Sequence, residues 1–287
     1  MLVGYGYEGI RMVSEDGENW SEPVTWKESF PLCAGAYGNG RFVTIAGSGY
    51  RGYALVLTSE DGRNWSEPIK VDDKPPPKPY GVQFGGGKFV MFGGGAGGPK
   101  KTTAVTSSED GQNWTKVKEH AGGTLMNACY GNGQFVAVGV LGRVAVSQDG
   151  VDWKDAPDRR PVDTFIGIAA GDDGFVGGGL HGMRMFSRDG LHWDDRQVGE
   201  EGEHLNSVLW VGDRYVAVGL GATYFSPDGR TWQRRENQNA PLRCVYHNGR
   251  FVGSAWRGRI LVSDDAIDWR EVHRAPHHVE GFIVAEA

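Results

Sequence analysis

The chain has 287 residues, 46 of them glycine and 10 tryptophan, and a formal net charge of -6 at pH 7. That acidity argues against a surface dedicated to nucleic acid, which needs a basic face to displace phosphate counterions, and no run approaches the ~18 apolar residues that cross a bilayer as a helix. The start, MLVGYGYEGI, lacks the basic region and apolar core of an export signal, so the expectation is a soluble protein without a membrane partner, with the cytoplasm slightly favoured.

In chain order, MLVGYG reads as a strand and is followed by SEDGENW, ending at Trp20. From there a hairpin pattern and a Ser-x-Asp-Gly-x-x-Trp pattern alternate. YGNGRFVTIAG from Tyr37 precedes SEDGRNW at Trp65, FGGGKFVMFGG from Phe84 precedes SEDGQNW at Trp114, and YGNGQFVAVG from Tyr130 precedes SQDGVDW at Trp153. AGDDGFVGGG from Ala170, WVGDRYVAVG from Trp210 and YHNGRFVGSA from Tyr246 then precede SRDGLHW at Trp193, SPDGRTW at Trp232 and SDDAIDW at Trp269, where Ala266 replaces the glycine. The sequence ends on GFIVAEA.

Asn-Gly or Gly-Asp between apolar runs supplies the positive φ angles of a two-residue hairpin turn. Seven copies at a spacing of about forty residues match the blades of a propeller. The predicted fold is all-β: a seven-bladed β-propeller with four antiparallel strands per blade, forming one domain over residues 1–287. MLVGYG aligns with a second strand and GFIVAEA with an inner one. The two ends are therefore expected to share a blade and close the ring, which removes exposed sheet edges.

The Ser-x-Asp-Gly-x-x-Trp copies resemble the Asp-box, or BNR repeat, of sialidases, other propeller glycosidases, sortilin-like receptors and photosystem assembly factors, and the resemblance covers the whole chain. The variant is shortened. In the usual pattern glycine stands two residues and tryptophan five residues after the aspartate, whereas here Gly17 directly follows Asp16 and Trp20 is four after it. The resemblance implies that these turns join third to fourth strands, opposite the active sites of those enzymes. Turn chemistry agrees, because the aspartate and serine can accept backbone N–H bonds and the tryptophan can pack between blades. Asp16, Asp61, Asp110, Asp149, Asp189, Asp228 and Asp265 are accordingly read as structural rather than catalytic or calcium-binding.

Function is therefore sought on the other face. Two expanded loops there, AGSGYRGYA and GGGAGGPKKTT, offer Tyr50, Arg51, Tyr53, Lys100 and Lys101 as ligand contacts suited to stacking and to anionic groups. The glycine run before Lys100 is not a phosphate loop, since Pro99 stands where the last glycine is needed. Asp163, Glu203 and Glu280 enter inner strands and are the candidate catalytic acids, because glycoside hydrolysis needs two carboxyls flanking the bond. His204 enters an inner strand beside Glu203, and His181, Arg143, Trp256 and Arg257 come from short rim loops. Asn127 and Arg243 interrupt a tunnel wall that is otherwise small (Ala34, Gly81, Gly167, Ser207), and such an arginine either pairs with a rim carboxylate or binds an anion.

No cofactor is expected. A metal held by His181, His204, His273, His277 and His278 is chemically conceivable, but no ligand spacing supports it. Cys33, Cys129 and Cys244 lie in apolar inner strands and read as buried thiols. These features favour a monomeric binding propeller that recognises a carbohydrate or another anionic or aromatic ligand. The alternatives are a glycosidase or lyase using the rim acids, and a scaffold for a protein partner.

Overall fold

The structure, a computed structural model, describes residues 1–26, 30–48, 53–71, 79–94, 102–157 and 164–285. Among them, no helix is long and apolar enough to cross a membrane. Asn39 and Gly40 have φ of 48° and 72°, and Asn132–Gly133 and Asn248–Gly249 repeat the pair. Each folds the chain back through a tight turn with both central residues left-handed, the geometry that matches strand twist. Repetition of that meander gives seven blades in a ring.

Blade 1 comprises Leu32–Gly38, Arg41–Ser48, Tyr53–Ser59 and Ile69–Val71; blade 2, Pro79–Gly85, Lys88–Gly94, Thr102–Ser108 and Lys118–Ala121. Blade 3 comprises Leu125–Gly131, Gln134–Gly139, Val144–Ser147 and Lys154–Asp155; blade 4, Phe165–Gly171, Gly174–Gly179, Arg184–Ser187 and Asp194–Gln197. Blade 5 comprises His204–Trp210, Tyr215–Leu220, Ala222–Ser226 and Gln233–Glu236; blade 6, Arg243–His247, Arg250–Ala255, Arg259–Ser263 and Arg270–Arg274.

Blade 7 is made from both ends of the chain. Val279–Val284 is its inner strand, Leu2–Gly6 its second and Arg11–Ser14 its third. Leu2 pairs with Val284 and Tyr5 with Gly281, and Met1 and Ala285 exchange backbone hydrogen bonds of 3.2 and 2.9 Å. Here the expected fourth strand is reduced, among the described residues, to one bridge between Arg11 and Val24.

Second and third strands are buried on both faces by the neighbouring blades and so read as near-continuous apolar runs. Seven apolar clusters result, one at each junction. The aromatic that ends an inner strand packs on the aromatic opposite it: Tyr37 on Phe42, Phe84 on Phe89, Tyr130 on Phe135, Trp210 on Tyr215 and Tyr246 on Phe251, with centroids 4.6–4.9 Å apart.

The Ser-x-Asp turns join third to fourth strands and tie each blade to the one before it. In the fifth-blade copy, Asp228 Oδ1 accepts the backbone N–H groups of Arg230 and Thr231 and the Ser226 hydroxyl, while Trp232 Nε1 donates to the Gly229 carbonyl. Burial alone would raise the Asp228 carboxyl, but these donors outweigh it and hold the pKa at about 2. The turn glycine is left-handed and faces a valine on the preceding blade's second strand. A Cβ on Gly62 would stand 2.8 Å from Val3 Cγ2, on Gly111 2.5 Å from Val43, and on Gly150 2.2 Å from Val90. In the sixth blade Ala266 takes the same turn at φ 62°, fully buried.

Gly150→Ala therefore adds a core clash to backbone strain and is expected to cost about 2 kcal/mol or more in urea unfolding. Gly133→Ala, at φ 76° with nothing within 4 Å of the new Cβ, should cost about 1 kcal/mol. Equal losses would show that the inter-blade contact does not matter. A depressed carboxyl stabilises above its unfolded pKa, here 3.8, and gives that stability up as pH falls toward about 2. Asp228→Asn should thus be less stable than wild type at neutral pH, with the gap closing across that window in pH-dependent melts.

Candidate functional site

Because strands alternate in direction, the Asn-Gly hairpins and the Ser-x-Asp turns share one face of the ring, and the remaining connections share the other. On that second face six inner strands carry a β-bulge near their start. The register slips past Cys33, Tyr80, Met126, Ile166, Asn206 and Glu280. A bulge inserts an unpaired residue and re-aims its side chain, and these residues surround the mouth of the axial tunnel. In blade 6 the regular ladder begins at Arg243 opposite Ser254, and the preceding Leu242 N–H bonds the Ser254 carbonyl at 2.7 Å.

Beyond the bulges the register aligns Ala34, Gly81, Asn127, Gly167, Ser207, Arg243 and Gly281 in one ring lining a cavity of about 350 Å³. Asn127 donates to the Ile166 carbonyl at 3.0 Å and accepts from the Ala128 N–H at 2.9 Å. The Ser207 hydroxyl accepts the Cys244 N–H at 3.0 Å. Both polar residues thus stitch the tunnel wall. Gly81 leaves no room for a side chain, since a Cβ would sit 2.4 Å from the Phe92 ring. All three cysteines line the cavity as free thiols. Burial pushes Cys33 up to about 11 and Cys244 to about 12, and raises Cys129 as well, so all are protonated at neutral pH.

Arg243 is the charged member of that ring. Its side chain is 53% exposed and lies 3.4 Å from Glu280, which stands 3.9 Å from His278 Nε2. The His278 ring stacks on Trp256, with centroids 4.5 Å apart and planes at 25°, and meets Tyr7 edge-on at 5.2 Å. Trp256 is 60% exposed. Burial lowers the His278 pKa against the opposing pull of Glu280 and the Ala255 carbonyl. One corner of the mouth, where blade 6 meets the closing blade, therefore joins an accessible guanidinium, a carboxylate and an aromatic platform. Arg257 follows Trp256 in a left-handed turn completed by Gly258, the same turn as His181–Gly182, Leu141–Gly142 and Glu8–Gly9 in other blades.

The other candidates lie elsewhere. His204 Nδ1 accepts the His181 N–H at 3.1 Å, with ring centroids 5.6 Å apart, at the rim of blades 4 and 5. Glu203 is 4% exposed and takes hydrogen bonds from Tyr224, from the Glu200 N–H at 3.0 Å, and from Arg234 at 3.0 and 2.7 Å. Burial works to raise its pKa, but Tyr224 and Arg234 prevail and keep it lowered. Glu203 and Glu280 share no partner in these contacts.

Arg143, expected on a loop, is 2% exposed: it pairs with Asp155 at 2.9 Å and bonds Thr103 Oγ1 at 2.7 Å and the Ala121 carbonyl at 3.0 Å. Arg184 is likewise buried, its guanidinium 3.8 Å above the Tyr224 ring. Both closely follow a turn glycine, Gly142 or Gly182, but nothing adjacent in sequence announces the partners that bury them. Tyr50, Arg51, Lys100, Lys101 and Asp163 lie outside the described residues, as does the side chain of Tyr53. Among the described residues no three His, Cys, Asp or Glu side chains come together in a way that could hold a metal.

No protein-family model matches the chain, and no curated protein matches it. Solved structures do. The structure described as YCF48 bound to D1 peptide is 17% identical over 90% of this chain and 83% of that one, with a TM-score of 0.62. A computationally designed protein, Ika8, is 12% identical over 87% of this chain and 88% of that one, with a TM-score of 0.55. At such identity the likeness is one of fold, a β-propeller, which suits ligand binding or service as a protein-interaction scaffold.

Removing the Glu203 charge leaves Arg234 and Tyr224 facing a neutral amide at a buried position. Glu203→Gln is therefore expected to cost about 2 kcal/mol in urea unfolding at neutral pH; an unchanged midpoint would show that the carboxylate is not structural.

Proposed function

We propose that the protein is a binding propeller that receives an anionic group of its ligand at Arg243, with Trp256 as the stacking face beside it. The observation that carries this reading is the accessible guanidinium of Arg243 in a ring of otherwise uncharged residues at the head of the axial cavity. A guanidinium so placed can hold a carboxylate through two parallel hydrogen bonds. Glu280 serves there as the resident partner that a ligand carboxylate displaces or joins. A peptide is the favoured carrier of that carboxylate, because a structure of the same fold is described with a peptide bound.

An acidic carbohydrate is the second reading. It rests on Trp256, whose exposed ring, backed by His278, offers the flat apolar face on which sugar rings stack. A hydrolytic role is less well supported, because Glu203 has both oxygens engaged by Tyr224, Arg234 and a backbone N–H. The Asp-box resemblance fits either binding reading: the Ser-x-Asp turns stiffen the opposite face and leave this one to vary. We also take the chain as one domain, since the first and last strands belong to one sheet.

The test is selection from displayed random peptides and from an array of acidic and neutral oligosaccharides, followed by titration of the best ligand of each kind. Arg243→Ala should weaken binding at least tenfold, the contribution of a charge-assisted pair. Trp256→Ala should weaken a sugar more than a peptide. A ligand whose affinity survives Arg243→Ala would overturn the reading.

A further inference from the structure

The mouth of the axial cavity is sorted by polarity. On blades 2, 3 and 4 the bulge residues that line it are Tyr80, Met126 and Ile166. Blades 5 and 6 present Asn206 and Arg243 instead, and Glu280 of blade 7 stands against Arg243. Cys33, from blade 1, turns its thiol to the Ile45 carbonyl at 3.4 Å. The blades follow one another around the ring in chain order, so the blade across from the junction of blades 6 and 7 is blade 3, which carries Met126.

Polar side chains on the apolar half are already used. Asn127 is bonded within the wall, and Gln83 donates to the Phe84 carbonyl at 3.0 Å. On the polar half they are open to a ligand. Asn206 is half-buried and makes no side-chain hydrogen bond among the described residues. Arg243 and Glu280 meet at 3.4 Å, with no hydrogen bond between them among the described residues. A plain carboxylate brought to Arg243 gains one favourable pair but comes to rest beside Glu280, and that like charge offsets part of the gain. An ammonium next to the carboxylate reverses the effect. With the carboxylate on Arg243 and the ammonium on Glu280, four charges alternate around a closed ring, and an α-amino acid has both groups on one carbon.

We propose that the cavity mouth binds a free α-amino acid with a large apolar side chain. Its carboxylate sits on Arg243, its ammonium on Glu280, and its side chain lies toward Met126 between Tyr80 and Ile166. Asn206, on the blade beside Arg243, offers its amide to the carboxylate. The proposal rests on the reading of Arg243 as the anion receiver and names what enters the cavity itself, whereas a peptide held at Arg243 lies across the mouth outside it. The cavity, at about 350 Å³, falls at the small end of ligand sites, which suits one such molecule.

The probe is L-leucine, titrated into the intact chain by calorimetry and by saturation-transfer NMR. The comparators are isocaproate, which lacks the ammonium, isoamylamine, which lacks the carboxylate, and glycine, which lacks the apolar side chain. Leucine should bind saturably with a Kd of about 1 mM or tighter, and each comparator at least about fivefold more weakly. Arg243→Ala should weaken leucine about tenfold, and Met126→Ala about threefold or more. Glu280→Gln removes a partner from the zwitterion but a competitor from the plain anion, so leucine should weaken about fivefold or more while isocaproate strengthens. That strengthening also shows the variant to be folded. No saturable binding of leucine, isocaproate binding as tightly as leucine, or a Glu280→Gln variant that leaves leucine unchanged would each overturn the assignment. The funnel reading fails by a different result, an anion or selected peptide whose affinity survives Arg243→Ala. An anion that is lost in Arg243→Ala and strengthened in Glu280→Gln, with leucine no tighter than isocaproate, keeps Arg243 as the receiver and removes the amino acid.

Discussion

A blade of this ring has two apolar faces, and neither can be left in water, so every blade depends on the neighbour that covers it. The dependence runs around the ring and ends where Leu2–Gly6 pairs with Val279–Val284. Without that pairing the inner strand of one terminus and the second strand of the other would each expose a ladder edge, and two of the seven junction clusters would lose a wall. Residues 280 positions apart in sequence are thus held by the same backbone bonds that join adjacent strands elsewhere. The loop-closure entropy grows only slowly with separation and is offset by burial on both sides of the shared sheet.

Given closure, the Ser-x-Asp turn acts as a spacer. Its aspartate saturates the turn's own N–H groups, its tryptophan bonds back to the turn carbonyl, and its glycine admits the preceding blade's valine at contact distance. A longer side chain there would push two blades apart, and in a closed ring a displacement at one junction has to be absorbed by the other six. Ala266 shows what is tolerated: one methyl group, with the same left-handed φ.

The repeat could be read from the sequence because these features are local. Asn-Gly specifies its own turn, and Ser-x-Asp-Gly specifies its own hydrogen bonds, so blade number and closure followed from counting. Arg243 could also be picked out, since it breaks a run of small residues at a fixed register. What was not legible depends on which side chain meets which across a junction. Arg143 looked like a loop residue because its partners, Thr103, Ala121 and Asp155, are dispersed in sequence, two of them in the preceding blade. Glu203 looked like a candidate acid because nothing near it in sequence announces Arg234 and Tyr224. The bulges escaped notice as well, since they arise from pairing register rather than residue type.

Blade 6 concentrates the departures from the repeat. Its inner-strand ladder begins only at Arg243, it carries Arg243 in place of a small or neutral residue, and it has alanine in its turn. Seven identical blades would present a symmetric tunnel and seven equivalent grooves, on which no ligand has a preferred orientation. A propeller gains a directional site by breaking its symmetry, and the break is least costly where the substituted side chain faces the axis or the surface rather than a junction core. Arg243, at the tunnel mouth, meets that condition. The strand Arg243–His247 runs between the two faces, with Arg243 at the tunnel mouth and Tyr246 near the hairpin turn of the other face. The asymmetry at Arg243 leaves the aromatic pair Tyr246–Phe251 and the valines on which the neighbouring blades close unaltered.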